Sequence, residues 1–262
     1  MGRRRLDKLL VERGICQSRD QAMRQVIAGE VLVDGQVAVT PGVLVDAEAE
    51  LRLKPRRRYV SRGGLKLEAA LSAFSVNLRG RVVADVGAST GGFTDCALQH
   101  GAQRVYSIDV ATGALAWSLR TDPQVVVMEG VNAMHLDALP ERVDVITADL
   151  SFTSLRLTLP QAFHWLEPGG EVIALIKPQY EAESSRQLVG GVVVDPAERR
   201  GIVAGLLHWA QERGWAIKGL IASPIRGSGG NQEYLVYLHT EALSSPLSDA
   251  EIEAMVASAI PV

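Results

Sequence analysis

Val82-Val83-Ala84-Asp85-Val86-Gly87-Ala88-Ser89-Thr90-Gly91-Gly92-Phe93 decides the fold. Four of its first five residues are apolar, as expected of a strand buried on both faces. The glycines that follow let the chain turn tightly and start a helix next to the strand end. Downstream, Val105-Tyr106-Ser107-Ile108, Val125-Val126-Val127-Met128, Val143-Asp144-Val145-Ile146 and Val172-Ile173-Ala174-Leu175-Ile176 repeat the buried-strand pattern, with helical segments between them. Trp215-Ala216-Ile217 and Tyr234-Leu235-Val236-Tyr237-Leu238 add two strands. Alternating strands and helices predict an α/β domain with a doubly wound sheet, whose ligand sits at the C-terminal strand ends.

The glycine turn reads G-x-x-x-G-G, not the G-x-G-x-x-G of dinucleotide-binding turns. An acid, Asp85, stands two residues before its first glycine. A carboxylate is a poor neighbour for a pyrophosphate. It is a good partner for the ammonium of an amino-acid moiety, directly or through water. Asp109 ends the second strand, where a ribose-binding acid belongs. Together these residues favour S-adenosyl-L-methionine over NAD. Asn132, after the third strand, is a candidate to face the adenine or a simple turn residue.

Four charged residues fall where such a sheet places its chemistry. Lys66 lies in Ser61-Arg62-Gly63-Gly64-Leu65-Lys66-Leu67, on a helix before the first strand; Asp149 ends the fourth strand, Lys177 ends the fifth, and Glu233 opens the last. Two lysines and two acids on one edge form a neutral cluster that tolerates partial burial. A ribose hydroxyl is a poor nucleophile, so a base must take its proton as a methyl group arrives. A lysine serves only if its charged form is disfavoured, and a neighbouring ammonium or burial does that. Lys66 beside Lys177 is expected to supply the ammonium, with Asp149 and Glu233 orienting both amines. The five histidines are scattered without metal-ligand spacing, so no metal is expected.

The charge distribution is uneven. Net charge is −3, yet the residues up to Lys66 carry about 14 Lys/Arg against about 8 acids. A basic head on an acidic body is suited to a polyanion. Within the head, residues 5–13 have helical apolar spacing, ended by Gly14. Ser18-Arg19-Asp20-Gln21 opens a second helix with a capping-box pattern. Val31 to Val39 reads as a hairpin around Asp34-Gly35. Lys54-Pro55-Arg56-Arg57-Arg58-Tyr59 reads as a basic linker. The expected organisation is a head at 1–58 with its linker at about 54–60, a catalytic domain at 61–242, and a tail at 243–262.

Motif by motif, the chain resembles two known families. Arg5-Leu6-Asp7, Ser18-Arg19, Ala22, Ile27, Gly29 and Val31-x-Val33-Asp34-Gly35 resemble the RNA-binding module named after ribosomal protein S-four. That resemblance implies phosphate contacts by Arg4, Arg5, Arg19 and Arg24; Arg57 and Arg58 of the linker join them as candidates, while Arg13 is equally well a solvated helix end. Lys66, Asp149, Lys177 and Glu233 resemble the tetrad of the FtsJ-type ribose 2′-O-methyltransferases. The whole of residues 3–240 is similar to the TlyA, or hemolysin A, family. It shares Val60 to Leu67, Asp85 to Asp95, Ala148 to Phe152 and Gly230 to Glu233. The resemblance implies a Rossmann-like class I methyltransferase sheet, mostly parallel with an antiparallel last strand, behind a small α+β RNA-binding module. It implies a cofactor site of Ser61, Gly63, Asp85, Gly87, Ala88, Ser89, Thr90, Gly91, Gly92, Phe93, Asp109, Asn132 and Asp149. The implied reaction is 2′-O-methylation of cytidine in ribosomal RNA, free or in ribosomal subunits. One loop departs from the family pattern: Tyr180-Glu181 replaces Phe-Glu, and Leu188 to Asp195 lacks two cationic positions, which puts RNA contacts there in question.

Other classes find less support. No apolar run approaches the roughly 18–20 residues of a membrane span, and no apolar segment follows the basic Met1 to Arg5, so a cytoplasmic protein is expected. Cys16 and Cys96 read as reduced packing thiols. A membrane-active haemolysin lacks a spanning segment. A catalytically silent ribosome-assembly factor has no need of four intact tetrad residues. An amino-methylating enzyme carries two prolines where this chain has Leu150-Ser151, and a carbon-methylating enzyme needs a cysteine at a strand end.

Overall fold

In the computed structural model, which describes residues 2–54, 58–182, 188–241 and 246–261, the chain divides into two compact units, Met1–Arg57 and Arg58–Val262. The first unit runs β1 (Arg3–Arg5), α1 (Leu6–Glu12), α2 (Arg19–Ile27), β2 (Val31–Val33), β3 (Gln36–Ala38), β4 (Leu44–Asp46) and β5 (Leu51–Leu53). β1 pairs antiparallel with β4, and β2 lies between β3 and β5. The hairpin turns on Asp34 (φ 49°) and Gly35 (φ 78°), the paired left-handed residues that match strand twist. Its core gathers Leu6, Leu9, Leu10, Cys16, Ala22, Val26, Val31, Ala49 and Leu51. Ser18 caps α2 by accepting from Gln21 N. The Gln21 side chain instead accepts from Gln17 N, so only half of the expected capping box forms.

The second unit runs α3 (Gly63–Phe74), β6 (Val82–Val86), α4 (Gly92–Gln99), β7 (Arg104–Asp109), α5 (Trp117–Arg120), β8 (Val125–Glu129), β9 (Val143–Ala148), α6 (Leu155–Phe163), β10 (Leu166–Ile176), α7 (Pro178–Glu181), α8 (Pro196–Glu212), β11 (Ala216–Ala222), β12 (Tyr234–His239) and α9 (Asp249–Ala259). Its seven strands are ordered β11-β12-β10-β9-β6-β7-β8. β8, β7, β6, β9 and β10 pair in parallel, and β12 runs antiparallel between β10 and β11. This is the expected Rossmann-like class I methyltransferase sheet with its antiparallel last strand.

Cores lie on both sheet faces. Ala84, Val86, Ile146, Ala174 and Val236 pack on one, while Val83, Val145, Ile173 and Leu235 pack on the other with α3 and α4. Strand order reverses at β6, which has β7 on one side and β9 on the other. The crevice beyond the strand ends therefore opens there. Because β12 is antiparallel, its N-terminus lies at the edge where β6, β9 and β10 end, and Glu233 precedes it. Within the expected tail at 243–262, Asp249–Ala259 form α9, opened by a complete Ser248–Glu251 capping box and packed through Ile252 and Val256.

Candidate active site

The tetrad residues converge. Lys66 Nζ lies 2.6 Å from Glu233 Oε2 and 3.7 Å from Asp149 Oδ2; Lys177 Nζ lies 2.6 Å from Asp149 Oδ1 and donates to Ser151 Oγ at 2.9 Å. The side chains of both lysines are 9% exposed, that of Glu233 3%, and that of Asp149 21%, so Asp149 faces the opening. The charges alternate Glu233, Lys66, Asp149, Lys177. Both ammonium groups thus contact the one Asp149 carboxylate, each facing a different oxygen.

Asp149 also borders a cavity of about 470 Å³ at the strand ends. Ile108, Val110, Val131, Met134 and Leu150 supply apolar walls, and Ser89, Asp109, Asn132 and Ser151 supply polar groups. The size suits a nucleoside-bearing ligand. Asp109 ends β7 and accepts from Ser89 N at 2.7 Å and Ala111 N at 2.8 Å, so its carboxylate is fixed where it lines the cavity. Asn132 accepts from Met134 N and starts a short 3₁₀ turn.

Other predicted cofactor residues lie elsewhere. Asp85 is fully buried below the turn, where it accepts from Thr94 Oγ1 at 2.7 Å and Thr147 Oγ1 at 3.0 Å. Burial pushes its carboxyl up to about 7. It does not line the cavity, because the strand alternation turns it toward the α3–α4 face. Ser61, Gly63, Gly92 and Phe93 meet where α3 and α4 begin: a Cβ on Gly92 would stand 2.2 Å from Ser61 Oγ, and one on Gly63 would stand 3.7 Å from Phe93. Ala88 is buried in the turn and Thr90 is exposed. Gly91 (φ +95°) has no room for a Cβ beside Leu119 and Leu115. Of the turn glycines, Gly87 alone borders the cavity. At Gly91 and Gly92 the side that a Cβ would take is filled by neighbouring chain.

The sequence reading missed Ser151, which bridges tetrad and cavity, and Phe152. Phe152 has φ 63°, is 89% exposed, and lies 5.4 Å ring to ring from Tyr180. Both fall in the quoted Ala148 to Phe152 motif, but nothing in their residue types marks them.

In the first unit, Arg5 and Arg19 both grip Asp7, which is 0% exposed, at 2.9 Å. Hydrogen bonding from Arg5, reinforced by Arg19, holds its carboxyl well below the usual range. Arg4 pairs with Glu12 at 2.7 Å. Arg24 is exposed and makes no ion pair among the described residues. Arg13 is no solvated helix end, since its guanidinium donates to the carbonyls of Ala47 and Ala49. Arg58 pairs with Glu68 and lies over the Tyr59 ring. Arg57 lies outside the described residues. In the loop that departs from the family pattern, Val189 bridges Val192 around Gly190 and Gly191. Among the described residues, no helix is long and apolar enough to cross a membrane, and no cluster of three or more His, Cys, Asp or Glu could hold a metal.

Residues 59–240 match the FtsJ-like methyltransferase family and residues 4–51 match the S4 domain. The chain is 44% identical over 243 residues to the 16S/23S rRNA (cytidine-2'-O)-methyltransferase TlyA of Mycobacterium tuberculosis, covering 91% of each. It is 36% identical to hemolysin A of Brachyspira hyodysenteriae, covering 89% of this chain and 98% of that one. Among solved structures, a candidate hemolysin from Streptococcus thermophilus superposes with a TM-score of 0.73 at 40% identity, over 99% of this chain and 96% of that one.

Proposed function

The chain belongs to the FtsJ-like methyltransferase family, with an S4 domain at its N-terminus, and from that premise we propose that it methylates the ribose 2′-hydroxyl of a cytidine in ribosomal RNA, using S-adenosyl-L-methionine. The observation that carries the reading is the tetrad itself: Lys66, Asp149, Lys177 and Glu233 linked at ion-pair distance, with Asp149 bordering the cavity. The M. tuberculosis relative, named for cytidine 2′-O-methylation, supports the choice of nucleotide. The proposed partner is ribosomal RNA, free or in ribosomal subunits, in the cytoplasm.

The cavity fits the cofactor. Its apolar walls suit an adenine, Asp109 suits ribose hydroxyls, and Asn132 stands beside the apolar slot. When bound, S-adenosyl-L-methionine supplies a methyl group already activated by its sulfonium. The chain's own residues then have two tasks. Lys177 Nζ would accept the 2′-hydroxyl proton as the hydroxyl oxygen takes the methyl group. Asp149 and Ser151 hold that amine in line, while Glu233 and Lys66 balance the charge behind Asp149. Fixed alignment supplies much of the acceleration, since the methyl donor is already reactive. The S4 domain anchors the RNA through phosphate contacts.

The test is labelled methyl transfer to ribosomal subunits, followed by alkaline hydrolysis. A 2′-O-methyl group blocks cleavage of one phosphodiester, so the labelled nucleotide should be released in an alkali-resistant dinucleotide. Label in an alkali-sensitive mononucleotide would overturn the ribose assignment. Lys177→Ala should abolish transfer while leaving cofactor affinity near normal. Lys177→Arg should not restore it, because a guanidinium does not give up its proton.

A further inference from the structure

Glu181, at the end of α7 and four residues after Lys177, is a charged group that the proposed chemistry does not use. It is only 7% exposed. Its carboxylate accepts from Ser154 Oγ at 2.5 Å and from Leu155 N at 2.7 Å, and Arg156 Nε stands 4.0 Å away. Burial pushes its carboxyl up, against those hydrogen bonds. A carboxylate costs free energy to desolvate and persists where its acceptors are filled. Here it sits at the N-terminus of α6, the favourable end of the helix dipole.

The segment between Asp149 and Leu155 is thereby fastened twice to the chain around Lys177. At its start, Asp149 and Ser151 hold the Lys177 ammonium; at its end, Ser154 and Leu155 are held by Glu181. Between the two fastenings lies Phe152 at φ 63°. A bulky residue in that region is strained and stays there only where its surroundings over-determine it. A loop fastened at Lys177 alone is free to relax that strain by moving Asp149 and Ser151 off the amine. The same loop lines the cavity through Leu150, Ser151, Phe152 and Thr153.

We propose that Glu181 is a positioning residue for the methyl transfer: by holding Ser154 and Leu155, it keeps Asp149 and Ser151 on Lys177. The catalytic part of this inference rests on the function proposed above.

The test compares full-length wild type with Glu181→Gln and Glu181→Asp at a temperature where thermal melts show all three folded. Glu181→Gln should lower kcat about 10- to 100-fold, the range a misplaced catalytic group produces, with KM for ribosomal subunits changed by less than about threefold. Glu181→Asp, which keeps the charge on a shorter stem, should recover part of kcat. Amide hydrogen exchange of residues 150–155 should speed up in Glu181→Gln, while β6 and β9 stay protected. A merely structural role would lower melting temperature and leave kcat of the folded protein within about twofold of wild type; that result, or unchanged exchange at 150–155, overturns the inference. A wild type that transfers no methyl to ribose overturns the proposed function alone, and the exchange comparison still decides whether Glu181 holds the loop.

Discussion

Asp149 lies 2.6 Å from Lys177, and its other carboxylate oxygen faces Lys66 at 3.7 Å, so a single acid contacts both ammonium groups of the cluster. It also borders the cavity, and its main-chain N–H bonds to the Val86 carbonyl at the end of β6. Asp149 therefore couples the first strand, the cofactor crevice and the proposed base.

Asp149→Asn keeps the shape and removes the charge. The four-residue cluster then carries one uncompensated positive charge, and the two ammonium groups repel without a screen. Methyl transfer should fall by about 100-fold or more, and stability by about 1–3 kcal/mol, below the cost of breaking a fully buried pair because Asp149 is partly exposed. Single-turnover transfer and thermal melts check this. Wild-type rates would show that the carboxylate does not hold the base.

Asp85 gives a pH signature. Burial raises its carboxyl to about 7, against about 3.9 for an unfolded aspartate. The folded state thus holds more protons than the unfolded state between those values. Its contribution to stability is full below about pH 4 and is lost as pH rises to about 7. Asp85→Asn removes that loss. The melting temperature of the variant minus that of wild type should increase from pH 5 to pH 8. A difference that does not vary with pH would show that Asp85 ionises freely in the folded protein.

Most of the large unit was legible because its central strands are buried on both faces. Val82 to Val86 and Tyr234 to Leu238 are largely apolar runs that no exposed segment needs; Val125 to Met128 has the same pattern but forms the half-buried edge strand β8. Of the three-residue strands, β2 and β3 were legible from the Asp34-Gly35 turn between them, whereas β1 was not: Arg3 to Arg5 are all exposed and form a strand only because Leu44 to Asp46 pair with them. α9 was within reach, since Ser248 and Glu251 stand at capping-box spacing. Its apolar stripe is narrow, and the burial of Ile252 and Val256, worth roughly 3–6 kcal/mol together, depends on partners distant in sequence. At the site, residue types revealed which charges gather but not their order, which side-chain packing sets. The same limit hid the turning of Asp85 away from the cavity and the left-handed backbone of Phe152.

Gly87 tests the close approach between the first turn and the tetrad. At φ +84°, a Cβ there would meet the Asp149 carbonyl oxygen at 2.6 Å. Gly87→Ala should cost about 1–2 kcal/mol for the left-handed backbone alone, and more as Asp149 is displaced. Transfer activity should fall further than the lost stability explains. Gly80 has φ +75° with nothing within 4 Å of its would-be Cβ, so Gly80→Ala should show the backbone cost with normal activity. Equal activity in the two variants would mean that Gly87 is needed only for its dihedrals.

The arginines of the S4 domain should separate by what they already hold. Arg19 is half committed to Asp7, whereas Arg24 is exposed without an ion pair among the described residues. If both contact phosphate, each alanine variant should weaken binding to ribosomal subunits about evenly across RNA sequences, and should reduce the salt slope by about 1. Their stabilities should differ. Arg19→Ala removes one of two partners from buried Asp7 and should lower stability by about 0.5–1.5 kcal/mol at neutral pH. That loss should shrink in strong acid, once Asp7 protonates in both states, because a carboxyl held low contributes stability above its unfolded value and loses it as pH falls. Arg24→Ala should melt like wild type at every pH. Binding isotherms at several salt concentrations, alongside melts at neutral and acid pH, make the comparison. An Arg24→Ala variant with an unchanged salt slope would remove Arg24 from the RNA contacts, and an Arg19→Ala variant changed only in stability would leave Arg19 as a structural partner of Asp7.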